Sequence, residues 1–172
     1  MSMKTIVFAA SKGGVGKTTL CAALSSFASS ASKKKIAIID LDPQGNATMG
    51  SGVDKNSCDH TLYHVLLESL PVEKAILRSE PGNYDVLPSN ADLTAAEVAL
   101  LTVAEKEFVL RNALQSVADS YEFILIDCPP SLSMLTVNAL AAANGVIVPI
   151  QCEYYALEGL SALMNTIAGV AD

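Results

Sequence analysis

A glycine-rich segment near the amino terminus restricts the fold of this 172-residue chain more than any other feature. Residues 12–19 have the sequence KGGVGKTT and stand between an apolar run at 4–10 and a helix-favouring stretch at 18–31. Glycines allow the backbone N–H groups of such a loop to curl around an anion, and the following helix adds its positive end. A strand–loop–helix unit of this kind is typical of α/β proteins that bind phosphate groups.

Apolar runs and helix-favouring stretches alternate along the rest of the chain. Further strands are predicted at 36–40, 84–88, 123–126 and 145–150, and helices at 61–70, 72–77, 91–118, 131–143 and 157–170. Residues 43–53 are rich in Gly, Asn and Ser, which predicts a loop, and the stretch 91–118 forms one helix or two. Because the strands are uniformly apolar, we expect an α/β fold with a mostly parallel sheet flanked by helices on both faces.

The helix that follows the glycine-rich loop has an apolar stripe. Its apolar residues recur at helical spacing on one face, at Leu20, Ala23, Leu24, Phe27 and Ala31. A helix of a globular protein usually turns such a stripe toward the core. We therefore expect this face of the helix to pack against the sheet.

Composition and charge narrow the functional classes. Hydrophobic residues make up 51% of the chain and charged residues 17%, which excludes a disordered chain. The net charge of −7 argues against general nucleic-acid affinity, and the only basic cluster, Lys33-Lys34-Lys35, is expected to be a solvated helix end. No secretory signal and no apolar run of membrane-spanning length is evident, so we expect a cytoplasmic protein.

Cysteine and histidine spacing indicates no metal-binding motif. The four cysteines form no CxxC pair and are expected to be reduced core residues, at Cys21, Cys58, Cys128 and Cys152. His60 and His64 stand four residues apart on a predicted helix, but no third ligand is near, so a surface pair is the preferred interpretation.

The glycine-rich loop departs from the general pattern G-x-x-x-x-G-K-[ST]. That pattern requires a glycine at position 11, where this chain has Ser11, and Lys12 instead adds a second cation before Gly13. Lys17 is expected to reach the β- and γ-phosphates of a nucleotide, and the Thr18 hydroxyl to ligate Mg²⁺. Lys12 could act in its own site or reach across to a partner's site.

Three acidic residues follow predicted strands. Asp40 ends the strand 36–40 and Asp42 stands two positions further on, in the loop that follows, so their side chains can point in different directions. One of them can face a metal ion while the other faces the attacking water. Asp127 follows the apolar run at 123–126 and can hold Mg²⁺ through water, as a Walker B acid does. The alternative that these acids only cap a loop or a helix stays open.

Four sequence blocks together resemble the deviant Walker A (ParA/MinD) family of P-loop ATPases. They are KGGVGKTT at 12–19, IDLDPQGNAT at 39–48, ILIDCPPS at 124–131 and VPIQCEYYALEG at 148–159. Within that family the chain is most similar to ParA-type partition ATPases of the Soj-like kind, and the resemblance covers essentially the whole chain. The segment DVLPSN at 85–90 also resembles this family.

The resemblance implies that the loop binds ATP with Mg²⁺. The expected nucleotide contacts are Lys12, Gly13, Gly14, Val15, Gly16, Lys17, Thr18 and Thr19. The expected catalytic residues are Lys12, Lys17 and Asp42, with Asp42 orienting or activating the water. The expected metal site consists of Thr18, Asp40 and Asp127, and Gln44 and Asn46 would belong to a loop that senses the γ-phosphate.

The resemblance also implies a biological role. ATP would close a homodimer in which Lys12 contacts the nucleotide of the partner subunit and the two copies of Gly13 face each other. Such a slow ATPase switch would serve chromosome or plasmid partitioning, stimulated by a ParB-like partner. The single domain, residues 1–172, would be shortened at its C-terminus and lack C-terminal strands of the family. Nonspecific DNA binding and association with the nucleoid are expected for the full-length parent rather than for this chain.

Other functions remain as alternatives. A membrane-cycling division-site ATPase of the MinD kind needs a C-terminal amphipathic helix, and the block DPQGN at 42–46 resembles the partition branch more than that kind. An iron–sulfur reductase needs cysteines that converge at a dimer axis, and only Cys128 follows the Walker B acid. A fragment that binds no nucleotide is the remaining alternative.

Overall fold

Six strands form one sheet in the computed structural model, which describes residues 3–151 and 156–171. The strands are β1 (Lys4–Phe8), β2 (Ile36–Asp40), β3 (Leu77–Ser79), β4 (Tyr84–Leu87), β5 (Phe123–Asp127) and β6 (Gly145–Ile147). The helices are α1 (Lys17–Ser32), α2 (Asn46–Gly50), α3 (Leu62–Leu67), α4 (Val72–Ala75), α5 (Leu93–Ala99), α6 (Val109–Leu114), α7 (Met134–Ala142) and α8 (Ala156–Ala171). Short 3-10 turns at Leu100–Thr102 and Gln115–Val117 follow α5 and α6.

The strand order is β3-β4-β2-β5-β1-β6, and all neighbouring strands run parallel except β3, which pairs antiparallel with β4. The prediction of an α/β fold with a mostly parallel sheet is therefore confirmed. The sequence did not predict β3, whose first residue falls in the stretch 72–77 that we expected to be helical. This edge strand has three residues, and Leu77 and Arg78 are exposed, so no apolar run marks it.

The two faces of the sheet bury two separate apolar clusters. Along β2, Ala37 and Ile39 face one cluster, whereas Ile36 and Ile38 face the other. This alternation is the ordinary consequence of the two-residue period of a strand. Helix α1 contacts β1, β2 and β5, and α7 contacts β1. The strands are uniformly apolar because both faces of the sheet are covered, as we predicted.

Helix α1 packs through a different face from the one we predicted. Its buried positions toward the sheet include Cys21, Ser25 and Ser29, whereas Leu24 is 40% exposed and Phe27 is 69% exposed. Small side chains let the helix backbone lie close to the strands, so the larger residues turn outward. Periodicity located the stripe but could not show which face meets the sheet.

The orientation of α1 predicts an unequal cost of two truncations. We expect Phe27→Ala to change the free energy of unfolding by less than about 0.5 kcal/mol, as for an exposed position. Ile38→Ala empties a fully buried position on the sheet face that α1 covers, and we expect it to cost about 2–5 kcal/mol. Urea unfolding of both variants measures the difference, and equal costs would contradict this packing of α1.

The structure decides one open alternative and corrects one prediction. The stretch 91–118, expected as one helix or two, forms two helices, α5 and α6, with their 3-10 turns, because Val103 is extended and Glu105 has a positive φ of 50°. The predicted loop 43–53 contains α2, which begins after Gly45 in the left-handed conformation. None of the helices in 3–151 and 156–171 is long and apolar enough to span a membrane.

The cysteine prediction is partly confirmed. Cys21 and Cys128 are buried and free. Cys58 is only half-buried, and its thiol donates a hydrogen bond to the Asp54 carbonyl, so its placement in the core was wrong. Cys152 lies outside the described residues.

Candidate active site

The glycine-rich loop leaves β1 at the carboxyl edge of the parallel strands and enters α1. Gly14 and Gly16 have φ values of 76° and 90°, a left-handed conformation that residues with a side chain rarely adopt. Gly16 caps α1 without a side-chain bond, and its carbonyl accepts the N–H of Leu20 at 2.9 Å. The loop conformation therefore depends on glycine at these two positions.

A cavity of about 510 Å³ collects most of the predicted site residues. It is lined by Gly13, Gly14, Gly16, Lys17, Thr18, Thr19, Asp42, Gln44, Asn46 and Pro130. Lys17 is only 6% exposed and makes no ion pair within the described part of the chain. A buried ammonium group is costly without a counter-charge, so this cavity is suited to an anion.

Thr18 and Asp127 meet at the base of the loop. The Thr18 hydroxyl donates a hydrogen bond of 2.6 Å to Oδ2 of Asp127, whose other oxygen, Oδ1, is buried without a partner among the described residues. Burial raises the pKa of Asp127 to about 7, and the charge of Asp40 adds to the rise, while Thr18 and Lys17 oppose it. A nearby cation would favour the ionised carboxylate.

These oxygen donors fit a magnesium ion. Mg²⁺ prefers hard oxygen ligands and usually keeps several waters and substrate phosphates, rather than an all-protein cage. The described residues include no group of three or more His, Cys, Asp or Glu side chains able to hold a metal ion. A site built from Thr18, Asp127 and their surroundings agrees with the requirements of Mg²⁺.

Asp40 is placed beside Asp127 by the pairing of β2 with β5, but its carboxylate is occupied by its own loop. Oδ1 accepts the N–H of Asp42 at 3.1 Å, and Oδ2 accepts both the N–H and the hydroxyl of Thr48 at 2.7 Å. Burial raises the pKa of Asp40 to about 6, although these hydrogen bonds lower it. These contacts match the loop-capping alternative, and the predicted role of Asp40 in the metal site stays a prediction.

Asp42 lies on the rim of the cavity, in the loop between β2 and α2. Its Oδ1 accepts the N–H of Gln44 at 2.9 Å, and its backbone carbonyl accepts the N–H of Gly45 at 2.9 Å. The side chain therefore stands on a tight turn that also brings Gln44 and Asn46 to the cavity. This position, in the same cavity as Lys17, is suited to a group that orients a water.

Lys12 does not line the cavity of its own loop. Its Nζ lies 3.5 Å from Oε1 of Gln151, and Lys12 and Val15 line a separate pocket of about 240 Å³ with residues 148–151. The structure thus separates these two residues from the other predicted contacts.

Two polar residues of the site were not singled out from the sequence. Thr48 and Ser89 are fully buried, and the N–H of Ser89 donates to the Thr48 hydroxyl at 3.0 Å. They stand 41 positions apart, and only the pairing of β2 with β4 brings them together. Both residues lie in segments that resemble the family, IDLDPQGNAT at 39–48 and DVLPSN at 85–90, but neither segment suggested a role for them.

The histidine pair and the basic cluster lie outside this site. His64 accepts the N–H of Thr61 on Nδ1 and caps α3, and the His60 ring lies edge-on to the His64 ring at a centroid distance of 5.6 Å. Lys34 forms a half-exposed ion pair of 2.6 Å with Glu122 at the amino ends of β2 and β5. Both observations agree with structural roles.

Known proteins resemble this chain over almost its whole length. Residues 3–172 match the AAA_31 family model, described as AAA domain. An uncharacterized protein of Pseudomonas putida is 56% identical over 98% of this chain and 64% of its own length. The chromosome partitioning protein ParA of Myxococcus xanthus is 48% identical over 91% of this chain and 55% of its own length. The chain thus spans less than two thirds of these relatives.

A solved structure agrees with the fold. The cobyrinic acid a,c-diamide synthase of Mycobacterium smegmatis, with bound ATP analogue and magnesium, superposes with a TM-score of 0.93 at 38% identity. The match covers 98% of this chain and 68% of that protein. The glycine-rich loop, the parallel sheet, and Asp40 and Asp127 at the ends of β2 and β5 are all in place. The chain belongs to this AAA domain family and, within it, to the ParA-type P-loop ATPases.

Proposed function

We propose that this chain binds ATP with Mg²⁺ and hydrolyses it slowly, and that the longer protein uses this cycle as a dimerisation switch in chromosome or plasmid partitioning. The observation that carries the proposal is the convergence of Lys17, Thr18 and Asp42 on one cavity beside Asp127. The names and bound ligands of the related proteins agree with it.

Each residue would have a distinct task in hydrolysis. Backbone N–H groups of the loop and the Lys17 ammonium bind the phosphates, and Thr18 with Asp127 would hold Mg²⁺. A bound Mg²⁺ neutralises charge that develops on the β- and γ-phosphates. Asp42 orients the attacking water, which requires correct position more than a strong base. The intrinsic rate is expected to be low, as in other nucleotide switches.

Dimerisation is proposed from the position of Lys12 and Gly13. Lys12 lies outside its own phosphate cavity, which supports the alternative that it contacts the nucleotide of a second subunit. Gly13 is exposed at the mouth of the loop, where a partner's loop can approach. In the parent protein the ATP-bound dimer would bind nonspecific DNA on the nucleoid. A ParB-like partner would stimulate ATP hydrolysis by this dimer.

Substitution of Gly13 tests the dimer without disturbing the monomer. A Cβ at this position would meet only Pro130 Cγ at 4.0 Å, and the φ of Gly13 is not positive, so Gly13→Ala should fold normally. Gly13→Val should do the same while blocking close approach of a second loop. We expect wild type to dimerise with a non-hydrolysable ATP analogue and Gly13→Val to stay monomeric while retaining nucleotide.

Analytical ultracentrifugation of both proteins with and without the analogue provides the measurement. Dimerisation of Gly13→Val at the wild-type level would contradict the proposed interface. The MinD-like alternative is separated by sedimentation with anionic vesicles in the presence of ATP, where the partition hypothesis expects no binding. ATP-dependent retention on nonspecific DNA is the corresponding test of the partition role in the full-length parent.

A further inference from the structure

A buried network of hydrogen bonds connects the end of β4 to the loop that holds Asp42. Asp40 is its centre, since one carboxylate oxygen accepts the Asp42 N–H and the other accepts two bonds from Thr48. Ser89 completes it, with its N–H donating to the Thr48 hydroxyl at 3.0 Å and its own hydroxyl donating to the Asp42 carbonyl at 2.8 Å. Asp40, Thr48 and Ser89 are each 0% exposed.

The network holds the main chain of Asp42 from both sides. Its N–H is bound by Asp40, which Thr48 orients, and its carbonyl is bound by Ser89. These groups come from two elements, because Thr48 lies in α2 and Ser89 follows β4. The direction of the Asp42 side chain is therefore set by residues that do not line the cavity.

Close packing reinforces the same connection. Gly45 has a φ of 65°, and a Cβ there would lie 2.8 Å from the carbonyl oxygen of Ser89. The turn after Asp42 consequently passes directly over the backbone that follows β4. The pairing of Ile39 with Leu87 anchors both segments to the sheet. Rigid elements position catalytic groups more accurately than loops do.

We propose that Thr48 and Ser89 are positioning residues that hold Asp42 in its water-orienting place in the proposed ATPase reaction. The inference rests on the proposed function, since it concerns the same site. Displacement of a reacting group by about 1 Å can cost about 100-fold in rate. Loss of either hydroxyl should therefore lower kcat while leaving the phosphate-binding loop intact.

The test compares kcat with nucleotide affinity in matched variants of the full chain. We expect Thr48→Val and Ser89→Ala to lower kcat about tenfold or more while the Kd for a fluorescent ATP analogue stays within about twofold. Thr48→Ser keeps the hydroxyl and should recover most of the rate. Thr94→Val and Ser116→Ala are exposed controls that should match wild type in both quantities.

Ser89→Ala decides the result if Thr48→Val does not fold, because it leaves the Thr48–Asp40 bonds and the Gly45 bond to Asp42 in place. Unchanged kcat in Ser89→Ala and in folded Thr48→Val would overturn the positioning role alone. A parallel loss of kcat and affinity would also overturn it, since that indicates distortion of the whole site. Absence of Lys17-dependent hydrolysis in wild type would overturn the proposed function, and this inference with it.

Discussion

Replacement of Lys17 by alanine is expected to abolish ATP turnover and to weaken ATP binding. Lys17 is the buried cation that lines the cavity of the glycine-rich loop, so under the proposed function its removal takes away a charge-assisted hydrogen bond to the phosphates. Such a bond contributes about 1.5–3 kcal/mol, which corresponds to roughly a 10- to 100-fold rise in Kd. Loss of a group that stabilises developing charge should lower kcat by about 100-fold or more. Calorimetric titration and a phosphate-release assay measure the two effects.

Lys74→Ala is the matched control for this experiment. Lys74 is exposed on α4 and does not line the phosphate cavity, so its removal changes net charge equally without touching the site. We expect wild-type affinity and turnover for this control. The role assigned to Lys17 is wrong if Lys17→Ala and Lys74→Ala have the same Kd and the same kcat.

Replacement of Asp42 by asparagine is expected to separate hydrolysis from binding. The amide keeps the size of the side chain and an oxygen that accepts the Gln44 N–H, so the turn should persist. The amide replaces the second acceptor oxygen with an NH2 donor, so it cannot orient the attacking water in the same way, and kcat should fall about 100-fold or more. The Kd for ATP should stay within about threefold, because the Lys17, Thr18 and glycine contacts remain.

Asp42→Asn should also accumulate the ATP-bound dimer, since the nucleotide is no longer consumed. Asp119→Asn, at an exposed position away from the cavity, provides the control for loss of one carboxylate. Quenched-flow analysis of bound nucleotide distinguishes slow chemistry from weak binding. Turnover by Asp42→Asn at the wild-type rate would exclude Asp42 as the residue that orients the water.

The parts of the fold that the sequence predicted correctly are those with strong local signals. Buried parallel strands are continuous apolar runs, and the glycine-rich loop requires backbone conformations that glycine favours, so β1, β2 and β5 and the loop were all found. The edge strand β3 has no such signal because two of its three residues are exposed. The face of α1 that packs on the sheet was not predicted, because small residues occupy it rather than the apolar stripe.

The sequence predicted the parts of the site that belong to a short motif or to the end of a strand. It did not predict the contacts between segments that lie far apart in the sequence. Lys17, Thr18 and Asp42 follow from motif and strand position, and the structure brings them to one cavity with Asp127 at its base. The hydrogen bonds of Asp40 with Thr48, and of Ser89 with Thr48 and Asp42, depend on the pairing of β2 with β4. A sequence alone does not specify which buried hydroxyls such pairing brings together.

ATP hydrolysis by the purified chain in Mg²⁺, measured beside Lys17→Ala, tests the central claim most directly. The claim is that the glycine-rich loop with Lys17 and Thr18 forms one working nucleotide site together with Asp42 and Asp127. The account predicts slow turnover by wild type that disappears in Lys17→Ala and on removal of Mg²⁺ by a chelator. Equal phosphate release from wild type and Lys17→Ala, or wild-type release that is insensitive to the chelator, would contradict it.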